Sequence, residues 1–79
     1  MVKWSKPKYD SWSTSYKRTA KRKNIYASVI YNDWNNHYYF MLNKGDNAFN
    51  SLWKYKPFQT EKACIAACES ELERKAKEW

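Results

Sequence analysis

The chain has 79 residues and a formal net charge of +7, and 19% of its residues are aromatic, among them five Trp and seven Tyr. That length suits one domain and leaves no room for two, and so short a chain buries only about 60–65% of its unfolded surface, so large rings are an efficient filling for its core. The aromatic content speaks against a disordered chain, and no apolar run approaches the ~20 residues needed to span a bilayer.

The N-terminal segment Met1-Val2-Lys3-Trp4-Ser5-Lys6-Pro7-Lys8 has charges but no hydrophobic stretch behind them, so it is not read as a signal peptide, and a cytoplasmic location is expected. Residues 1–24 carry eight bases against Asp10, whereas residues 25–59 carry three bases and two acids, and residues 60–79 four bases and five acids. The whole positive excess therefore lies in the first third of the chain, the strongest functional signal in the sequence. Tyr9, Trp12 and Tyr16 have a spacing that one helical turn could present together, but the interleaved Ser11, Ser13, Thr14 and Ser15 favour caps or extended chain. The expectation for residues 1–24 is a basic, aromatic-rich extended arm with one short turn, pinned to the body by one or two rings.

At Ile25 the pattern changes to period two. Ile25, Ala27, Val29 and Tyr31 alternate with Tyr26, Ser28 and Ile30, which reads as a strand rich in β-branched and aromatic residues. Asn32-Asp33-Trp34-Asn35-Asn36 is a turn by its Asn/Asp chemistry, and His37 to Leu42 forms a second strand. The single glycine, Gly45, marks a hairpin loop, and a third strand is expected over Leu52 to Lys56, with Trp53 and Tyr55 on one face and Lys54 and Lys56 on the other.

Pro57-Phe58-Gln59-Thr60 closes the sheet and opens a helix, with Thr60 as N-cap and Glu61 at the positive end of the helix dipole. Cys64, Ile65, Cys68 and Leu72, extended by Ala67 and Ala76, form the apolar stripe. Opposite it, Glu71 with Lys75 and Glu73 with Lys77 have the i, i+4 spacing of ion pairs. The expected fold is α+β: a three-stranded antiparallel sheet covered on one face by the C-terminal helix, as a β-β-β-α domain over residues 25–79 preceded by the arm.

Catalytic or metal chemistry finds little support. Cys64 and Cys68 lie four apart on the helical stripe, side by side rather than facing, so they read as buried thiols in a reducing compartment rather than a disulfide. With one His, no C-x-x-C pair and one Gly, neither a structural zinc site nor a Gly-rich phosphate loop is expected, and no cofactor, small-molecule substrate or enzymatic activity is assigned.

The run Lys17-Arg18-Thr19-Ala20-Lys21-Arg22-Lys23 is a better functional candidate. Five charges in seven residues can neutralise several phosphates. Trp4, Tyr9, Trp12 and Tyr16, interleaved with Lys3, Lys6, Lys8 and Lys17, are rings on which unpaired bases could stack. The plainer alternative is a solvated arm whose rings cap the open face of the sheet. If the helix covers the Ile25, Ala27 and Val29 face, the opposite face displays Tyr26, Ser28, Tyr39, Lys54 and Lys56.

The strand Tyr26-Ala27-Ser28-Val29, the aromatic second strand Tyr38-Tyr39-Phe40 and the helix start Phe58-Gln59-Thr60-Glu61-Lys62-Ala63 resemble the small three-strand-and-helix DNA-binding modules of tyrosine recombinase N-termini and AP2-type regulators. In that family the sheet enters the major groove, which would give Tyr26, Ser28, Lys54 and Lys56 to DNA. The Lys-, Asn- and Tyr-rich composition is also similar to that of small bacteriophage accessory proteins that bind one host protein. The leading expectation is accordingly a nucleic-acid-binding module, DNA before RNA. The rival is a protein-interaction module that docks on an acidic surface through Trp34, Trp53 and Trp79. Binding of the arm to an anionic membrane surface ranks last.

Overall fold

A computed structural model of the chain describes residues 3–11, 15–34 and 36–79, with the side chain of Asp10 excepted. Five strands, β1 (Lys8–Asp10), β2 (Ser15–Arg22), β3 (Ile25–Asn32), β4 (His37–Lys44) and β5 (Asn47–Asn50), pair in chain order as an antiparallel meander. A 3₁₀ turn (Ser51–Trp53) and helix α1 (Glu61–Glu78) follow. The α+β class and the single C-terminal helix are as expected, but the sheet has five strands rather than three, and β1 and β2 lie where an arm was expected.

Short turns set the register. Lys23 and Asn24 both adopt positive φ (49° and 67°), the geometry of a type I′ turn, so β2 folds back on β3 with Arg22 opposite Ile25 and Ser15 opposite Asn32. Between β3 and β4, Asn32 accepts twice: its Oδ1 from the Trp34 amide and its carbonyl from the Asn36 amide, each at 2.9 Å. Gly45, at φ 58°, is the first central residue of the two-residue β4–β5 loop, which sets Lys44 opposite Asn47.

This last register corrects the third strand. The ladder ends at Asn50 because the buried Ser51 hydroxyl accepts the Phe40 amide at 2.9 Å, taking the place of a strand carbonyl. The Ser51 carbonyl then accepts from the Lys54 and Tyr55 amides, so Leu52 to Lys56 turns instead of extending. Phe58 returns to β4 and exchanges two 2.9 Å backbone bonds with Tyr38.

Alternation sends Ala20, Ile25, Ala27, Val29, Phe40 and Leu42 to one face, where Cys64, Cys68 and Leu72 of α1 meet them. Trp4, Tyr55, Phe58, Ile65 and Trp79 close the rim. Thr60 Oγ1 caps the helix by accepting from the Ala63 amide at 3.1 Å. The expected Glu71–Lys75 and Glu73–Lys77 pairs are replaced: Glu73 meets Arg22, Lys75 meets Glu78 and Glu71 is buried. Among the described residues, no helix is long and apolar enough to cross a membrane.

Candidate nucleic-acid interface

Because β2 is a strand, its basic residues separate by parity. Arg18, Ala20 and Arg22 share the helix side with Val29, Ala27 and Ile25, their cross-strand partners. Lys17, Thr19 and Lys21 stand with Ile30, Ser28 and Tyr26 on the opposite face, the open one in the sense that no helix or strand among the described residues covers it. The two arginines are engaged by the helix. Arg18 Nε lies 2.7 Å from Glu61 Oε1, a charge contact rather than an aligned hydrogen bond, and Arg18 Nη1 donates to the Ser5 carbonyl at 3.1 Å. Arg22 Nη1 pairs with Glu73 Oε1, and Trp4 Nε1 donates to Glu69 Oε2 at 3.1 Å.

The lysines are not compensated in this way. Lys8 of β1 sits directly opposite Lys17, both exposed, and neither is ion-paired among the described side chains. Like charges directly opposite on a sheet oppose pairing. Lys21 lies over the Tyr26 ring at 5.1 Å from its centroid, and Tyr26 is 56% exposed. Lys23, exposed at the β2–β3 turn, extends this basic edge. Ile30, buried on the open face, is flanked across the ladder by Lys17 and Tyr39. Tyr39, Met41, Asn43 and His37 of β4 continue the face, with Ser28 half-buried opposite Met41.

Comparisons of the chain with family models, with curated proteins and with solved structures find no match. The site therefore stands on its own geometry.

Of the residues expected at the interface, Lys17, Lys21, Lys23, Tyr26 and Ser28 are gathered on the open face or its rim. Arg18 and Arg22 point the other way. Lys54 and Lys56 lie outside the sheet, in the turn after the 3₁₀ segment. Lys54 Nζ is bound to Glu71 Oε1 at 3.0 Å, and Lys56 is exposed. Tyr16 is also on the helix side, in a cross-strand row with Tyr9, Tyr31 and Tyr38 whose centroids are 4.9, 6.3 and 4.7 Å apart in turn. Burial pushes the Tyr38 hydroxyl above its ordinary value, with the nearby Glu61 carboxylate adding to it. Trp12 lies outside the described residues. Trp34 and Trp53 are exposed at 82% and 70%, whereas Trp79 folds back, its carbonyl held by Lys44 Nζ at 2.7 Å.

Thr19 and Asn43 join the face without having been expected there, and Lys8, expected as a charge interleaved with the rings of the arm, joins it beside Lys17. Lys8 belongs to the basic segment, but nothing in the residue pattern fixes the register that sets it beside Lys17.

Beneath the helix, Glu71 joins three donors: Tyr55 Oη at 2.7 Å, Lys54 Nζ at 3.0 Å and Arg74 Nη1 at 3.2 Å. Burial alone would raise this carboxyl, but the hydrogen bonds from Tyr55 and Lys54 and the nearby cations outweigh it and hold it below its ordinary value. The same bond raises the Tyr55 hydroxyl. This cluster fastens the turn after β5 to α1 and leaves the open face untouched.

Proposed function

We propose that the protein binds nucleic acid, DNA in the first instance, through the open face of its sheet, without catalysing a reaction on it. The observation that carries this reading is the Lys8–Lys17 pair: two exposed lysines set directly opposite each other, neither of them ion-paired among the described side chains. A phosphate bridging them would remove the repulsion and release counterions, the usual source of affinity for nucleic acid. Lys21 and Lys23 continue the line of charge, and Tyr26, Ser28, Thr19 and Asn43 offer a ring and hydrogen-bonding groups beside it. Presentation of a sheet face is also what the likeness to recombinase and AP2-type modules implies.

The test is fluorescence anisotropy with labelled random-sequence duplex and single-stranded DNA at two salt concentrations. Low-salt binding that collapses as salt rises, and that weakens in Lys17→Ala and Lys21→Ala, is expected. Absence of binding at low salt, or a response indifferent to salt, overturns the proposal.

A second reading, docking on an acidic protein, draws on the exposure of Trp34 and Trp53, since aromatic anchors concentrate binding energy at interfaces. Trp79 is packed against the core and offers less to such a partner.

A further inference from the structure

The two edges of the sheet are differently guarded. The chain leading into β1 contains Lys3, Lys6 and Pro7, and β1 itself contains Lys8, features that discourage another strand from adding there. Along this edge, the Ser5 amide and hydroxyl are already bonded to β2, the amide to the Thr19 carbonyl and the hydroxyl to the Thr19 amide, each at 2.9 Å. At the other edge, β5 reads Asn47-Ala48-Phe49-Asn50 and runs on into Ser51-Leu52-Trp53, with no charged residue until Lys54.

In the β4–β5 ladder, Lys44 faces Asn47 across the two-residue loop, so hydrogen-bonded pairs fall at Asn47 and Phe49. The N–H and C=O of Ala48 then point away from the sheet. Among the described residues, no hydrogen bond other than those to β4 reaches the backbone of residues 47–49. Ala48 is exposed and carries only a methyl group, so nothing on its own side chain blocks an approaching strand. Beside it, Leu52 is 45% and Trp53 70% exposed, and the Trp53 ring meets Phe49 edge to face at 6.2 Å.

We infer that β5 pairs with β5 of a second copy of this chain, antiparallel about a two-fold axis near Ala48. An antiparallel edge is complementary to itself, so the outward donor and acceptor of one Ala48 meet those of the other. Charge selects this edge. Two copies carrying +7 each repel wherever their lysines meet, and β5 brings them together along an uncharged strand, with both Lys8–Lys17 pairs at the far ends. Leu52 and Trp53 supply apolar surface that the pairing covers. The inference does not depend on nucleic acid.

Sedimentation velocity on the purified protein, free of nucleic acid and at high salt, tests it over a concentration series. The mass is expected to rise from monomer to dimer. Ala48→Lys, which sets two ammonium groups together at the axis, is expected to move the midpoint up by about tenfold or more, with an unchanged far-ultraviolet circular dichroism spectrum. A monomer at every concentration overturns the inference, as does an A48K variant that associates as readily as the original. If that variant does not fold, the Ala48 amide in the unaltered protein decides. Hydrogen exchange that slows with concentration supports the pairing, and an exchange rate independent of concentration overturns it.

Discussion

Arg22 in β2 and Glu73 in α1, 51 residues apart, meet across the seam between sheet and helix. With Arg18 and Glu61 they bind the basic strand to the acidic helix at two points, one at the first residue of α1 and one in its C-terminal half. The strand thus turns its guanidinium groups inward and keeps its ammonium groups outward. The division suits the two chemistries: a planar guanidinium makes directional contacts with a carboxylate, while a flexible, hydrated ammonium can follow a phosphate backbone.

This division predicts a separation of phenotypes. Lys17→Ala and Lys21→Ala should each lower the slope of log K against log salt by about 0.9 for every phosphate no longer neutralised, with little change in the thermal midpoint. Arg22→Ala should do the reverse, costing about 0.2–1 kcal/mol, as exposed ion pairs do, and leaving the salt slope in place. Anisotropy titrations and thermal melts on the same samples check both.

Glu71 predicts acid sensitivity. Its carboxyl is held below the ordinary value of 4.5 in the folded protein, so the folded state gains stability from its ionisation above that pH. The gain is lost as pH falls below the unfolded value and through the folded one. Urea midpoints should therefore fall between neutral pH and the acid range, and Glu71→Gln should flatten that part of the profile while lowering stability at neutral pH.

The two thiols should be silent in the folded protein. Both are fully buried, burial pushes Cys64 up to about 12, and Cys68 is raised further by the same cause. Alkylation by iodoacetamide should proceed at the rate of opening, and added urea should accelerate it in step with loss of circular dichroism. Fast labelling of either residue in native buffer would contradict the burial.

Thr60 is the sole side-chain cap at the N-terminus of α1 among the described residues. Thr60→Ala should cost about 1 kcal/mol, and Thr60→Asp or Thr60→Ser should restore most of it. Chemical denaturation of the three variants makes the comparison.

Some of this was displayed more openly in the sequence than the rest. β3, β4 and the Thr60-capped start of α1 were legible because Ile25, Ala27, Val29, Phe40 and Leu42 alternate in hydrophobicity and the cap precedes a helical stripe. β2 alternates too, but its inward positions are Arg18, Ala20 and Arg22, and two charges paired with a helix far along the chain do not register as an apolar face. Its turn, Lys23-Asn24, lacks the glycine that commonly marks a type I′ hairpin. Trp53 and Tyr55 imitated a strand because alternating rings look the same in a turn; the Ser51 hydroxyl, which closes the ladder just after β5, has no signature in the pattern. The site followed the same division. Lys17, Lys21 and Tyr26 could be named, but their shared face and the approach of Lys8 depended on the register of β1 and β2.

The strand order, in which every strand pairs only with its neighbours in the chain, bears on how the molecule is made. Each hairpin can close over a short loop as soon as its second strand is available, so the sheet assembles from local contacts at low entropic cost. The helix that covers Val29, Phe40 and Leu42 is synthesised after every strand. On the ribosome, the sheet passes through an interval with its hydrophobic side bare, and the arrival of this 18-residue segment ends that exposure.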